Sequence, residues 1–473
     1  MEAKKQTELL GTQKISTLLR NLSIPAMIGM FVMTLYNVVD TIFISYGVGI
    51  DAVAGTTISF PLMMIVMAVS AALGMGGASV ISRRLGEKRG DEANRVFGNI
   101  ISLIIIVSVV GLIIAFFALE PLLILFGGTP STLGYAMDYM FPIMFGTFFF
   151  SFGFATNNIV RSEGNAKFAM MTMIVPAVIN IILDPIFIFV FNMGVQGAAI
   201  ATVISQASVT LMIFQYFLKG KSSLSLSFQD LKIKWKIVIE VMAIGMPAFV
   251  QQAAGSLMMI AINKMLIQFG SEFYVGIYGL IQRIVMFTII PIMGVMQGMM
   301  PIVGYNYGAK QFARMRETIW ITLKIVTACA TIITLLLVLI PSPFLRIFTS
   351  DPEVITEGSA AMRVLFLTFF VVGVQVVAGG LYQALGKPKQ ALILSLSRQI
   401  LFLIPLVLIL PHYFGVIGVW MAFPISDVLS FILSAALLYR DRDTILVKGK
   451  DEDKEDLAGA EVDALVEPTN VES

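Results

Sequence analysis

Cysteine and histidine each occur once in this chain, and charged residues make up only 13% of it. A lone thiol forms no internal disulfide, and Cys329 with His412 supplies no Cys/His metal cluster. Nor does the sequence contain an H-E-x-x-H or comparable catalytic motif, so neither an enzymatic activity nor a cofactor is expected. The scarcity of charge excludes more. Soluble domains carry about a quarter charged residues, and a water-facing surface cannot be built from so few. The net charge of +2 is small, and no nucleic-acid partner is expected.

What the sequence has instead is apolar length. Hydrophobic residues reach 57% and the mean hydropathy is +0.88. Apolar stretches recur from Leu18 to Tyr439, each of about 20 residues, the length a helix needs to cross a hydrocarbon core about 30 Å thick. They lack the alternation of a barrel strand, which leaves helices as the spanning form. The fold class is therefore all-α and polytopic. Spans are expected near 17–46, 53–78, 95–118, 134–158, 168–191, 195–217, 238–267, 276–301, 316–340, 358–383, 391–411 and 416–439. The apolar segment after Arg20 is too long for a signal-peptide core, so the first span is expected to be uncleaved.

Basic residues fall in alternate connections, with Arg83, Arg84, Lys88 and Arg89 in one, Arg161 and Lys167 in the next, and Lys219 to Lys236 in a third. The intervening loops carry Asp51, Glu120, Glu272 and Asp351. By the positive-inside rule both termini are cytoplasmic, in the inner membrane of the cell, and an even number of spans follows.

An internal repeat runs through the chain. Pro25 and Pro247, Gly86 and Gly308, Lys88 and Lys310, Gly164 and Gly386, and Lys167 and Lys389 are each 222 positions apart. Near the end of each half the offset becomes 221, and Gly194-Val195-x-Gly197 meets Gly415-Val416-x-Gly418. Each repeat holds an even number of spans, so the halves are parallel, and parallel repeats pack about an axis along the membrane normal with the substrate site between them. The expected organisation is an N-lobe over 1–218, a cytoplasmic interlobe linker over 219–237 that is either amphipathic around Leu226 to Trp235 or a plain solvated loop, a C-lobe over 238–440 and an acidic disordered tail over 441–473.

Ionisable residues within spans are costly and few. Asp40, in Tyr36-Asn37-Val38-Val39-Asp40, and Asp184, in Asn180-Ile181-Ile182-Leu183-Asp184-Pro185, lie at similar distances from the outer ends of the first and fifth spans. Each has a polar partner four residues earlier on its helix face, Tyr36 or Asn180, and Thr202 enters the sixth span at comparable depth. This is a hard-oxygen set suited to Na⁺ or, through a protonated carboxyl, to H⁺; the sequence does not choose between them. The repeat equivalents of the two aspartates are Ile262 and Leu406, so the acidic site is expected in one lobe only. In the second half Gln251, Gln252, Gln282 and Arg283 are candidates for cavity contacts beside Tyr36 and Asn37, and Arg398 is expected to pair with Asp427. The 29 methionines provide side chains that re-pack around dissimilar ligands.

Tyr36 to Thr41, Arg161-Ser162-Glu163-Gly164-Asn165-Ala166-Lys167 and Asn180 to Pro185 together resemble multidrug and toxin extrusion (MATE) proteins, and the resemblance extends to about Arg440. It implies antiport: small amphipathic, often cationic compounds exported in exchange for H⁺ or Na⁺ by alternating access of two lobes, in a chain expected to act as a monomer in the lipid bilayer. It also implies an N-lobe ion site of Asp40, Asn180, Asp184 and Thr202 with an asparagine from the end of the fourth span, Asn157 or its neighbour Asn158. A lipid-linked precursor flippase of related architecture is the alternative.

Overall fold

The computed structural model describes residues 2–48, 50–126, 128–130 and 132–442. The acidic stretch 443–473 lies outside the described residues. A short helix α1 (Glu2–Thr12) precedes six long helices: α2 (Ile15–Gly47), α3 (Ile50–Gly86), α4 (Gly90–Leu125), α5 (Leu133–Ser162), α6 (Ala166–Pro185) and α7 (Gly194–Leu218). The second half repeats them as α8 (Trp235–Phe269), α9 (Glu272–Gly308) and α10 (Phe312–Leu339), then, after the short α11 (Ser342–Arg346), as the pair α12 (Pro352–Leu365) and α13 (Phe369–Ala384). Its fifth span is α14 (Pro388–Leu396), carried through a wide π turn into α15 (Ile404–Ile409) and the single turn α16 (Pro411–Phe414), and its sixth is α17 (Val416–Arg440). Among the described residues, eleven helical segments are long and apolar enough to cross a membrane, and α12 with α13, bent by 53°, brings the number to twelve if the pair is one broken span.

Helices α3 and α9 have 37 residues each, which at 1.5 Å per residue is about 55 Å, far beyond a hydrocarbon core. Both overrun the expected spans at the basic end. Hydropathy falls before the helix ends, whereas the helix continues because its backbone is packed against the other half.

The repeat is visible in single dihedral angles. Lys88 and Lys310 both adopt φ 59°, Gly164 and Gly386 adopt φ 91° and 68°, and Gly194 and Gly415 adopt φ 57° and 60°. The halves also exchange contacts. A Cβ on Gly86 would stand 2.1 Å from the carbonyl oxygen of Tyr305, and one on Gly308 would stand 2.2 Å from that of Arg83. Arg83 and Gly86 map onto Tyr305 and Gly308 by the same 222-residue shift, so the contact is its own image, as a two-fold axis requires. Helix α3 packs on α8 and α2 packs on α9 in the same exchanged manner. Only a hydrogen at Gly86 and Gly308 allows these backbones to touch.

The linker contains no helix between the lobes. Residues 219–234 form turns and extended chain rather than an amphipathic helix, because side chains of α4 take their backbone groups. The Lys234 N–H donates to Asn99 Oδ1 (2.7 Å), the Ser225 N–H donates to Asn94 Oδ1 (2.9 Å), and Ser102 Oγ donates to the Leu231 carbonyl (2.7 Å). Helix α1 straps the same end of the molecule. Thr7 donates to the Glu163 carbonyl, while Asn306 Nδ2 and Arg314 Nη2 of the second half donate to the carbonyls of Leu10 and Gln13.

Glu163, just beyond α5 and 2% exposed, joins this junction. Its carboxylate accepts from Ser222 Oγ (2.5 Å), the Leu224 N–H (3.0 Å) and Tyr216 Oη (3.1 Å). Burial nevertheless pushes its pKa up to about 7, outweighing those donors. The folded state therefore holds a proton that the unfolded chain releases near 4.5, and its contribution to stability is lost as pH rises from 4.5 through about 7. The melting temperature of the purified protein is expected to fall over that interval. Glu163→Gln should flatten this part of the profile; an unchanged slope would remove Glu163 as its source.

Candidate functional site

The carboxyl groups of Asp40 on α2 and Asp184 on α6 meet at hydrogen-bonding distance. Their depths match because each stands about two turns before the end of its span remote from the basic loops. Asn180, one turn before Asp184, donates to Asp184 Oδ1 (3.1 Å) and to Thr202 Oγ1 of α7 (3.3 Å). Asp184 and Asn180 are fully buried. Helix α6 ends at Pro185 and widens into a π turn over Ile186–Val190, the local loosening expected where proline removes a backbone donor. Three buried oxygens in this cluster, Asp40 Oδ1, Asp184 Oδ2 and Asn180 Oδ1, have no hydrogen-bond partner.

Two carboxylates in contact repel strongly in a low-dielectric interior. A shared proton or a small hard cation removes the repulsion, and three unpartnered oxygens with a hydroxyl alongside are a donor set that fits either. Tyr36 and Tyr139 stand near enough to the same carboxylates to feel their charge. Tyr139, on α5, is a member that sequence reasoning missed. Its only signal was an aromatic among many in that span, and no spacing rule links α5 to α2.

Below the cluster, between the halves, lies a cavity of about 410 Å³. Its wall includes Tyr36, the methionines Met30, Met33, Met67, Met75, Met173, Met293 and Met296, and the amides Gln206, Gln251, Gln252, Gln297, Gln375, Gln383 and Gln399. Helices α2, α3, α8 and α9 all contribute to it, joined by α5, α6, α7 and α13 to the π turn after α14. Tyr36 alone belongs to both cavity and carboxylate cluster. The cavity is closed at the basic end of the molecule. There Ser79 Oγ of α3 donates to the Gln383 carbonyl (2.6 Å), Gln383 Nε2 donates to the Ile244 carbonyl (3.0 Å), and Arg83 and Arg84 reach Glu240 across the interface at 3.4 and 3.5 Å.

Four candidates stand elsewhere. Asn157 is separated from Asp184 by most of α6: its Nδ2 donates to the Ala169 carbonyl (2.6 Å) and Thr172 Oγ1 (2.8 Å), and its Oδ1 accepts from Arg161 (2.7 Å). It lines the cavity near the closed end, as does Asn158, and neither joins the carboxylates. Asn37 is exposed and returns its amide to the Met33 carbonyl. Gln282 donates to Tyr278 Oη (2.6 Å), and Arg283 is exposed; neither lines the cavity. The cause is helical phase. Residues adjacent in sequence point about 100° apart on a helix, and only packing decides which face meets the partner half.

Arg398 and Asp427 pair as expected, at 2.7 Å, with Asp427 2% exposed. Removing one partner of a buried pair strands the other, at a cost of about 3 to 5 kcal/mol. Arg398→Met is therefore expected to lower the melting temperature markedly, and adding Asp427→Leu to restore most of the loss. A double variant as unstable as the single would show that the pair is not what stabilises this contact.

The MatE family profile matches residues 25–186 and again residues 247–409, once in each half and at the repeat's own spacing. The multidrug export protein MepA of Staphylococcus saprophyticus is 26% identical over 90% of this chain and 94% of that protein. Among solved structures, the MATE multidrug transporter DinF-BH, determined as a complex, is 65% identical and superposes with a TM-score of 0.86 over 93% of this chain and 98% of that one. An outward-facing multidrug resistance MATE transporter of the MOP superfamily is 27% identical, with a TM-score of 0.87 over 93% of this chain and 98% of that one. A doubled profile match, chain-long similarity and the paired two-lobe fold converge: this chain belongs to the MatE family of multidrug and toxin extrusion transporters.

Proposed function

We propose that the chain is a secondary antiporter that exports small amphipathic, often cationic compounds in exchange for H⁺ or Na⁺, with both termini and the linker on the cytoplasmic side. The observation that carries this reading is the contact between Asp40 and Asp184 with three unpartnered oxygens around it. Ion binding removes the repulsion within the pair and so favours one packing of α2 against α6. Tyr36 hands that change to the cavity wall. Substrate and ion then need not touch; they compete through the conformation of one helix. With the basic end cytoplasmic, the contacts of Ser79, Gln383 and Glu240 close the cavity on the cytoplasmic side. A flippase is not favoured. A pyrophosphate headgroup calls for several free cations, whereas the cavity has two arginines and Arg398 is engaged by Asp427.

The test is efflux of a fluorescent amphipathic cation from proteoliposomes under separately imposed H⁺ and Na⁺ gradients. Transport driven by one gradient and abolished by its collapse is expected. Equal rates with and without either gradient would overturn the antiport reading. External labelling of a cysteine at Ser222 in intact cells, with Cys329 replaced, would overturn the orientation.

A further inference from the structure

We infer that the closed end of the central cavity contains a binding site for a small inorganic monovalent anion of halide size, organised by Arg161. Arg161 is 5% exposed. One nitrogen, Nη2, donates to Asn157 Oδ1 (2.7 Å), whereas Nε and Nη1 are buried without any partner. No carboxylate neutralises it among the described residues. Glu163, two positions on, is engaged by Ser222, Leu224 and Tyr216. A buried, unpaired cation with two idle donors is an arrangement whose cost calls for a counter-charge.

The space beside Arg161 suits such a charge. A pocket of about 30 Å³ is bounded by Arg161, Asn158, Gln297, Ser79, Ser82, Ser162 and apolar side chains, and no acidic residue lines either it or the larger cavity above. Ser79 and Ser82 have their protons committed to backbone carbonyls. The further donors are therefore amides. Asn158 Nδ2 gives one N–H to the Phe154 carbonyl (3.0 Å) and keeps the other. Gln297 holds only a weak Nε2 contact to Met30 Sδ (3.5 Å) and leaves Oε1 unpartnered; turning that amide over presents Nε2 to the pocket at little cost. The volume admits a halide. Occupancy neutralises the floor of a cavity otherwise hostile to cationic ligands, and it does not depend on which ion drives transport.

Two measurements decide it. Co-crystals grown in bromide are expected to show an anomalous peak beside Arg161. In detergent solution, chloride or bromide should raise the melting temperature saturably relative to gluconate at equal ionic strength, and Arg161→Gln should abolish that rise. Should Arg161→Gln fail to fold, Gln297→Leu should shift the halide midpoint by about tenfold, the worth of one hydrogen bond to a charged group. A wild-type crystal with no bromide peak at Arg161 overturns the site, as does an Arg161→Gln or Gln297→Leu protein whose halide response equals the wild type's.

Discussion

Asp40→Asn and Asp184→Asn are each expected to reduce gradient-driven efflux by about two orders of magnitude, as loss of one member of a cooperating unit does, while leaving the protein folded. The amide keeps the size and hydrogen-bonding reach of the carboxyl but can neither take up a proton nor bring a charge to a cation. If the aspartates only glued α2 to α6, as polar side chains commonly do between membrane helices, the amides would serve as well and transport would persist. The double variant should be little worse than either single, because the pair repels and binds as one unit. Purified single variants pumping at near wild-type rates would sink the assignment. Additive losses would show two separate sites in place of a pair whose side chains are in contact.

Gly245→Val is expected to open the closed end. A Cβ at Gly245 would stand 2.0 Å from the carbonyl oxygen of Ala72, and the obstacle is backbone, which no rotamer change removes. Overpacking of this kind costs about 1 to 3 kcal/mol, enough to shift a two-state equilibrium about 5- to 150-fold toward the state in which α3 and α8 are apart. The variant should lose transport. A cysteine placed at Ala78, which lines the pocket beneath the contact, should react with maleimide many times faster in a Cys329→Ser background. Gly298→Ala tests the exchanged contact, since its Cβ would meet Ser23 Oγ at 2.3 Å, and a hydroxyl can move aside. Its effect should be smaller. Unchanged labelling and transport in Gly245→Val would mean that the lobes do not need this approach.

Much of this was legible before any coordinates. Apolar length and the alternation of basic loops set the number of spans, because the cost of exposing backbone to lipid leaves helices as the available answer. Pairs such as Lys88 and Lys310 or Gly164 and Gly386 revealed the repeat, because a left-handed turn constrains residue type at both copies. Asp40 and Asp184 stood out because a carboxylate in a span is too costly to be incidental. Asn180 and Thr202 followed from helical spacing and depth.

What the sequence determined by itself, then, was everything that is local or counted along one helix: spans, the parallel repeat, and the lack of a counterpart to the Asp40 and Asp184 pair at Ile262 and Leu406 in the second half. Tertiary structure decided what depends on rotation and on distant neighbours. Tyr139 joins the carboxylates, Asn157 turns to Thr172 and Arg161, and Arg283 stays off the cavity because of how whole helices are turned against one another. The linker lies extended because Asn94, Asn99 and Ser102, 129 to 135 residues earlier, hold its backbone. A periodic pattern fixes which residues share a face. Which face meets which helix is settled only when the two lobes pack, since in lipid the apolar faces of a span are nearly equivalent until glycine contacts and buried polar groups choose among them.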